Sequence, residues 1–246
     1  MTKKYEFVPG DEITIAPGRT VKRIRALIAI SYFASAGSLG GYVESEKSLS
    51  QDGNAWVYDN AWVYGDAQVY GSAWISGSAK VYGSAKVYGS AKVYGSAKVY
   101  GNAQVSGSAK VYGNAQVSGS AWICGNAQVS DSAQVCGNAQ VSDSAQVCGN
   151  AQVSDSAWVC GNAQVASDGL IFWASKVGTE NGTLTVYNTE GNELEVTRGC
   201  FRGAVDGFLA ASEKEHDDQT HLEYRLLIEV ALSRITRARA LLEKKV

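Results

Sequence analysis

The chain has 246 residues and a formal net charge of −2, from 22 Lys and Arg against 24 Asp and Glu. So even a balance argues against a general nucleic-acid binder, which needs a positive field, and against a DNA mimic, which needs a negative one. Five cysteines, an odd number without the spacing of a secreted disulfide framework, favour a reducing, cytoplasmic setting.

The N-terminal flank, residues 1–52, carries 7 basic and 6 acidic residues. Lys3 and Lys4 lead into a polar stretch, unlike a signal peptide. Tyr5 to Val8, Glu12 to Ile15 and Arg19 to Ile28 read as extended segments, with Pro9-Gly10 and Pro17-Gly18 as turns between them. The most apolar run, Ala26 to Ala34, is far shorter than the roughly 20 residues needed to cross a bilayer, so no membrane partner is expected. Gly37 to Glu46 is glycine-rich, but no Gly-Lys-Ser/Thr follows and the next element is not a helix, so a connection is expected and not a phosphate loop. A solenoid needs its open first coil covered, and residues 1–52 are assigned that role.

From Gly53, one six-residue phrase, Gly-Asn/Ser-Ala-Xaa-Val-Yaa, repeats 19 times to residue 166 without insertion or deletion. A period this strict predicts a solenoid, because a unit so short cannot bury an apolar face alone. Alternation within Ala-Xaa-Val puts Ala and Val on one side and Xaa and Yaa on the other. Burying each Val is worth on the order of 1.5–3 kcal/mol before the entropy of ordering is subtracted. Gly, or Asp at positions 59, 131, 143 and 155, stands where the backbone must turn.

The pattern resembles the hexapeptide repeat of left-handed parallel β-helices. That resemblance implies a triangular coil of about 18 residues, with outward residues 18 apart stacked on one face. Face one then carries Trp56, Trp74, Lys92, Lys110, Gln128, Gln146 and Gln164. Face two carries Trp62, Lys80, Lys98, Gln116, Gln134 and Gln152, and face three Gln68, Lys86, Gln104, Trp122, Gln140 and Trp158. Cys124, Cys136, Cys148 and Cys160 recur every twelve residues and so rotate among the faces. They cannot converge on one ion at about 2.3 Å or pair as disulfides; neither metal nor cofactor is expected.

Lys80, Lys86, Lys92, Lys98 and Lys110 interleave with Tyr82, Tyr88, Tyr94, Tyr100 and Tyr112 in a stretch lacking Asp and Glu. Cations among aromatic rings can hold a nucleic-acid strand or another anionic partner. The blander reading, weighted about two to one, is that Lys stems and Tyr ladders cover a soluble prism. Trp56, Trp62, Trp74, Trp122 and Trp158 are expected to point outward, under a cap or toward a partner.

The C-terminal flank, residues 167–246, reads as an α+β domain. Leu170 to Val177, Gly182 to Thr189 and Glu193 to Cys200 are expected as strands, then Ala204 to Glu215 as a helix. Thr220-His221-Leu222-Glu223 has capping-box spacing and opens a longer helix. Leu222, Leu226, Leu227, Val230, Ala231, Ile235, Ala238, Leu241 and Leu242 form its apolar stripe, wide enough to pack on the sheet and leave a seam for a second chain. Arg234, Arg237, Arg239, Lys244 and Lys245 suit its C-terminal turns.

Arg23-Ile24-Arg25-Ala26-Leu27, Leu39 to Glu46, Leu49-Ser50-Gln51, Gly53 to Val57 and Gly199-Cys200-Phe201-Arg202-Gly203 together resemble a phage and prophage family of hexapeptide-repeat proteins. Some of its members carry an acetyltransferase label by fold alone. Hexapeptide-repeat acyltransferases imply a catalytic His on the β-helix, acting as general base. Residues 53–166 hold no His; the two in the chain, His216 and His221, lie in the C-terminal flank. Cys200 is expected as a buried packing residue. The expected function is therefore a non-enzymatic phage or prophage protein that presents a rigid surface to a host or phage protein, for instance to inhibit a host defence protein. An acyltransferase-like enzyme using His216 or His221, and a binder of nucleic acid or anionic glycan along the Lys and Tyr belt, are the alternatives. A homo-oligomer, dimer or trimer, is expected.

Overall fold

The computed structural model describes residues 3–30 and 34–244. The middle of the apolar run, residues 31–33, and Lys245 lie outside the described residues. The protein is a three-sided parallel β-helix, closed at one end by an antiparallel hairpin and at the other by a four-stranded sheet with two helices.

Each of the 19 repeats contributes one two-residue strand, from Trp56–Val57 to Gln164–Val165. They pair in parallel with the strand 18 residues away, as in Trp56 with Trp74 and Lys92 with Lys110. The predicted coil is therefore the observed one. Backbone donors reach the next coil at a constant offset: Lys92 N donates to Ala109 O at 2.9 Å and Tyr94 N to Val111 O at 3.0 Å. Inward Ala and Val or Ile side chains are buried along the whole column, so the prism is held by the repetition of small, well-filled layers.

The corners explain why Gly alternates with Asp. Corner residues have positive φ, 66° at Gly119 and 57° at Asp143, which Gly adopts freely and Asp tolerates. Each Asp also gains a bond across the coil: Asp59, Asp131 and Asp143 accept from the amides of Gly77, Gly149 and Gly161 at 3.0, 3.0 and 3.1 Å. Asp155, in the last full coil, accepts instead from Trp173 Nε1 at 2.9 Å.

At the N-terminal end, β1 (Tyr5–Ala16) and β2 (Arg19–Ala26) form a hairpin, and β3 (Leu39–Val43) joins it to the sheet of face two. Pro9-Gly10 is not a turn, as the sequence suggested. It sits in a register shift within one continuous strand, since a bulge absorbs an irregular residue pair without ending the ladder. The parallel ladder also starts before the first full repeat. Tyr42 pairs with Trp62, Val43 with Val63 and Leu49 with Val69. Val43 and Leu49 thus occupy inward positions six residues apart, and two extra residues before Val57 hide this coil from the strict period. Gly40 and Gly41 belong to that coil: a Cβ on either would come within 2.6 Å of Ile24 Cγ1 or Ala61 O.

At the other end, β4 (Ile171–Val177), β5 (Gly182–Asn188), β6 (Leu194–Arg198) and β7 (Phe201–Ala204) form an antiparallel sheet in chain order. The fourth strand went unread in the sequence because it lies within the Gly-Cys-Phe-Arg-Gly phrase. The sheet is fixed to the last coils by Thr197 Oγ1 donating to Trp158 O at 2.7 Å and Trp158 N donating to Thr185 Oγ1 at 3.1 Å. Helices α1 (Val205–Glu215) and α2 (Asp218–Glu243) pack on it. The N-cap of α2 is Asp217, whose Oδ1 accepts from Thr220 N at 2.7 Å, not Thr220: an Asp three residues upstream opens the helix one turn earlier and takes Thr220 N as its own orphan amide. Its buried side is Tyr224, Ile228, Ala231 and Ile235.

Among the described residues no helix is long and apolar enough to cross a membrane.

Candidate functional site

The coil sorts the candidate residues among three sheets. Lys92 and Lys110 are on face one, Lys80 and Lys98 on face two, and Lys86 on face three. The Lys and Tyr belt is thus continuous in sequence and divided in space.

The Yaa tyrosines stack along the corners. Tyr64, Tyr82 and Tyr100 form one ladder with ring centroids 4.9 and 5.0 Å apart, Tyr70 and Tyr88 a second at 5.0 Å, and Tyr94 and Tyr112 a third at 4.9 Å. Their planes are within 3° of parallel. The ring faces that cover one another are closed to the base stacking on which single-strand binders rely. Burial raises the Tyr82 and Tyr94 hydroxyls above their ordinary pKa, with neighbouring tyrosines adding to the effect.

The tryptophans divide. Trp56 is only 1% exposed, covered by a cap, one of the two settings expected for it. It lies beneath the N-terminal hairpin, edge-on to Tyr5 at 6.1 Å, because the first coil of face one has no coil beyond it to pack on. Trp62 is half-buried below Lys80, whose Nζ is 3.9 Å from its ring centroid. Trp122 is exposed, with its Nε1 donating to Ser106 Oγ at 3.2 Å. Trp158 is half-buried where the C-terminal sheet docks, and its Nε1 donates to Ser142 Oγ at 3.3 Å.

Trp74 is the centre of the most developed surface. Its ring is tilted against Tyr58 at 4.9 Å, and Lys92 Nζ stands 5.4 Å from its centroid. Two shallow hollows flank it on face one. One, of about 220 Å³, is lined by Trp56, Tyr58, Trp74, Ser90 and Lys92 among others. The second, of about 290 Å³, is lined by Trp74, Ser76, Lys92, Tyr94 and Lys110. Trp74 and Lys92 are common to both. Tyr58, which the sequence reading passed over, contributes a neutral hydroxyl: burial, reinforced by Asp59, pushes it up to about 12. Its place in the Yaa column one coil before Ser76 was the signal that could have found it.

The histidines and cysteines are placed differently. His221 Nδ1 is 3.2 Å from Ser212 Oγ, and His216 lies against Tyr224 with ring centroids 5.5 Å apart. Cys200 is exposed, not buried as expected, because it sits in the β6–β7 turn beside Gly199 at φ 57°. Cys200 and His216 line the same cavity of about 370 Å³, with Arg198, Phe201 and Phe208. Cys124, Cys136 and Cys148 are half-buried and unpaired, while Cys160 is buried with its Sγ 3.3 Å from Tyr187 Oη. Among the described residues no group of three His, Cys, Asp or Glu is placed to hold a metal ion.

The family described as YdcK Beta solenoid repeat matches residues 109–125, 133–148 and 145–161. These segments lie within the prism, and the likeness extends to its repeat alone. Comparison with curated proteins finds no match.

Proposed function

We propose that the protein is a non-enzymatic scaffold that holds an aromatic and basic patch on face one rigidly against a macromolecular partner. The observation that carries this reading is the pair of hollows sharing Trp74 and Lys92, on a face whose later coils carry only Gln at the same position. Trp and Tyr side chains in a preformed hollow are the usual anchors of a protein interface, and the lysines beside them would steer an acidic partner. A backbone tied coil to coil spends little ordering entropy on binding. The covered tyrosine faces and the division of the lysines favour a protein partner over a nucleic acid. The resemblance to phage and prophage hexapeptide-repeat proteins directs the reading to the cytoplasm of a bacterial host, with a host defence protein as the target.

The test is affinity capture from host lysate with and without nuclease, using wild type beside a Trp74→Gln/Lys92→Gln/Lys110→Gln variant. Gln is the residue this column carries at 128, 146 and 164, so the repeat is preserved. One protein captured in both treatments and lost in the variant supports the reading. Equal capture by the variant removes face one from it, and capture only without nuclease transfers it to a nucleic-acid partner.

A second reading, acyl transfer, is favoured by one observation: His216 and Cys200 share a cavity of about 370 Å³. It requires acetyl-donor turnover by the purified chain that is lost in His216→Ala.

A further inference from the structure

Helix α2 buries one side against the C-terminal sheet and leaves a second apolar row in solvent. Leu222, Leu226, Val230 and Leu241 are between 43% and 53% exposed. At 100° per residue they lie within about 100° of one another and on the side away from Tyr224, Ile228, Ala231 and Ile235. Leu232 and Leu242 are exposed as well, but they flank or continue the buried side and are not part of this row. A monomer seldom keeps such a row on one long helix without a covering partner.

The charges on the helix are divided between its two halves. Residues 217–230 hold Asp217, Asp218, Glu223 and Glu229 against Arg225, a net of −3. Residues 231–244 hold Arg234, Arg237, Arg239 and Lys244 against Glu243, a net of +3. Three of these are engaged within the chain, since Asp217 accepts from Thr220 N, Glu223 accepts from Gly178 N and Arg239 donates to Asn188 Oδ1. Setting these aside leaves −1 and +2. A helix with opposite charge at its two ends is complementary to itself only when the second copy runs the other way. Side by side in parallel, like halves would repel; antiparallel, each half meets its opposite, and the helix dipoles also oppose.

We propose that α2 is the interface of an antiparallel, two-fold symmetric homodimer. Centred between Ala231 and Leu232, such a pair sets Leu222 of one copy level with Leu241 of the other, and lays the aliphatic stem of Arg237 near Leu226. The contact is isologous and closes on itself, as the commonest homodimers do. The interface uses no residue of face one, so one assembly would carry two copies of the patch around Trp74.

The experiment is sedimentation and light scattering of the full chain, beside a Leu226→Glu/Val230→Glu variant. Both substituted positions are exposed, and thermal unfolding checks that the fold is kept. Wild type should have near twice the 26.1 kDa of one chain, and the variant the mass of one chain. Direction is read by oxidative cross-linking in a background with Cys124, Cys136, Cys148 and Cys200 replaced by Ser, which other repeats carry at the Yaa position of the first three. Ser233→Cys, beside the two-fold axis, should cross-link between copies. Gln219→Cys should not, because 25 residues at 1.5 Å place its two copies about 37 Å apart. A monomeric wild type, a dimer or trimer that survives the double substitution, or efficient cross-linking through Gln219→Cys would each overturn the proposal.

Discussion

Lys92 Nζ stands 5.4 Å from the ring centroid of Trp74, its ladder partner on the neighbouring coil of face one. The register that makes them neighbours is the same one that pairs Lys80 with Trp62 on face two. Around Trp74 it is joined to hollows on both sides. An exposed cation over an aromatic ring contributes only about 0.5–1 kcal/mol. Lys92→Gln should therefore change stability by less than about 1 kcal/mol while weakening partner capture. Thermal unfolding of the variant checks the first part.

Gly119 should not accept an apolar side chain. Its φ is 66°, and a Cβ there would come 2.8 Å from both Gly137 N and Gly137 O. The left-handed conformation alone costs about 1–2 kcal/mol for an L-residue, and Ala lacks the bond across the coil with which Asp131 and Asp143 offset it at equivalent corners. Gly119→Ala should lose at least about 2 kcal/mol in denaturant unfolding. Gly191→Ala, where nothing lies within 4 Å, should stay close to wild type and serves as the control.

Asp143 joins three parts of the molecule, accepting from Gly161 N at 3.1 Å and from Arg202 Nη1 at 2.9 Å while holding a positive φ. The ion pair with Arg202 is half-exposed and contributes little by itself. Asp143→Asn, which keeps the acceptor and tolerates the backbone, should cost less than about 1 kcal/mol. Asp143→Ala, which keeps neither advantage, should cost about 1–3 kcal/mol. A denaturant series on the two variants checks the order.

Lys4 is buried at the N-terminal end, its Nζ donating to Ala55 O at 2.9 Å. Burial pushes its pKa down from 10.5 to about 8, against the opposing pull of Asp52. Between those two values the unfolded chain binds the proton that the folded chain has released, so this residue makes stability rise with pH. Above about pH 10 the buried tyrosines act in the opposite sense, as Tyr58 stays protonated up to about 12 while the unfolded chain ionises. The stability of wild type relative to Lys4→Met should therefore grow between pH 8 and 10.5, measured by urea unfolding at each pH. A constant difference across that range would contradict it.

The prism was legible because its period is both local and strict. Once Gly53 and Gly161 are counted in sixes, the stacking of Trp74 under Lys92 follows from an 18-residue coil. What stayed hidden had lost the period or depended on contacts distant in sequence. Val43 and Leu49 are inward residues of an earlier coil, disguised by two extra residues before Val57. Trp56 matches Trp74 in its hexad, and only the hairpin carrying Tyr5 decides that it is buried. Cys200 looks like a core residue in composition, and the β6–β7 turn exposes it. On α2 the apolar residues were visible, but burial of Tyr224 and Ile228 had to be seen before Leu222, Leu226 and Val230 could be assigned to the open side. The hollows on face one needed the depth of neighbouring side chains, which no period encodes.

The most direct measurement is the dissociation constant of the captured host protein, purified, for wild type and for Trp74→Gln/Lys92→Gln, by titration calorimetry. Loss of two central anchors should weaken binding at least tenfold, equivalent to about 1.4 kcal/mol or more. Dissociation constants equal within about twofold, well under that 1.4 kcal/mol, would contradict the claim that face one is the working surface of the protein.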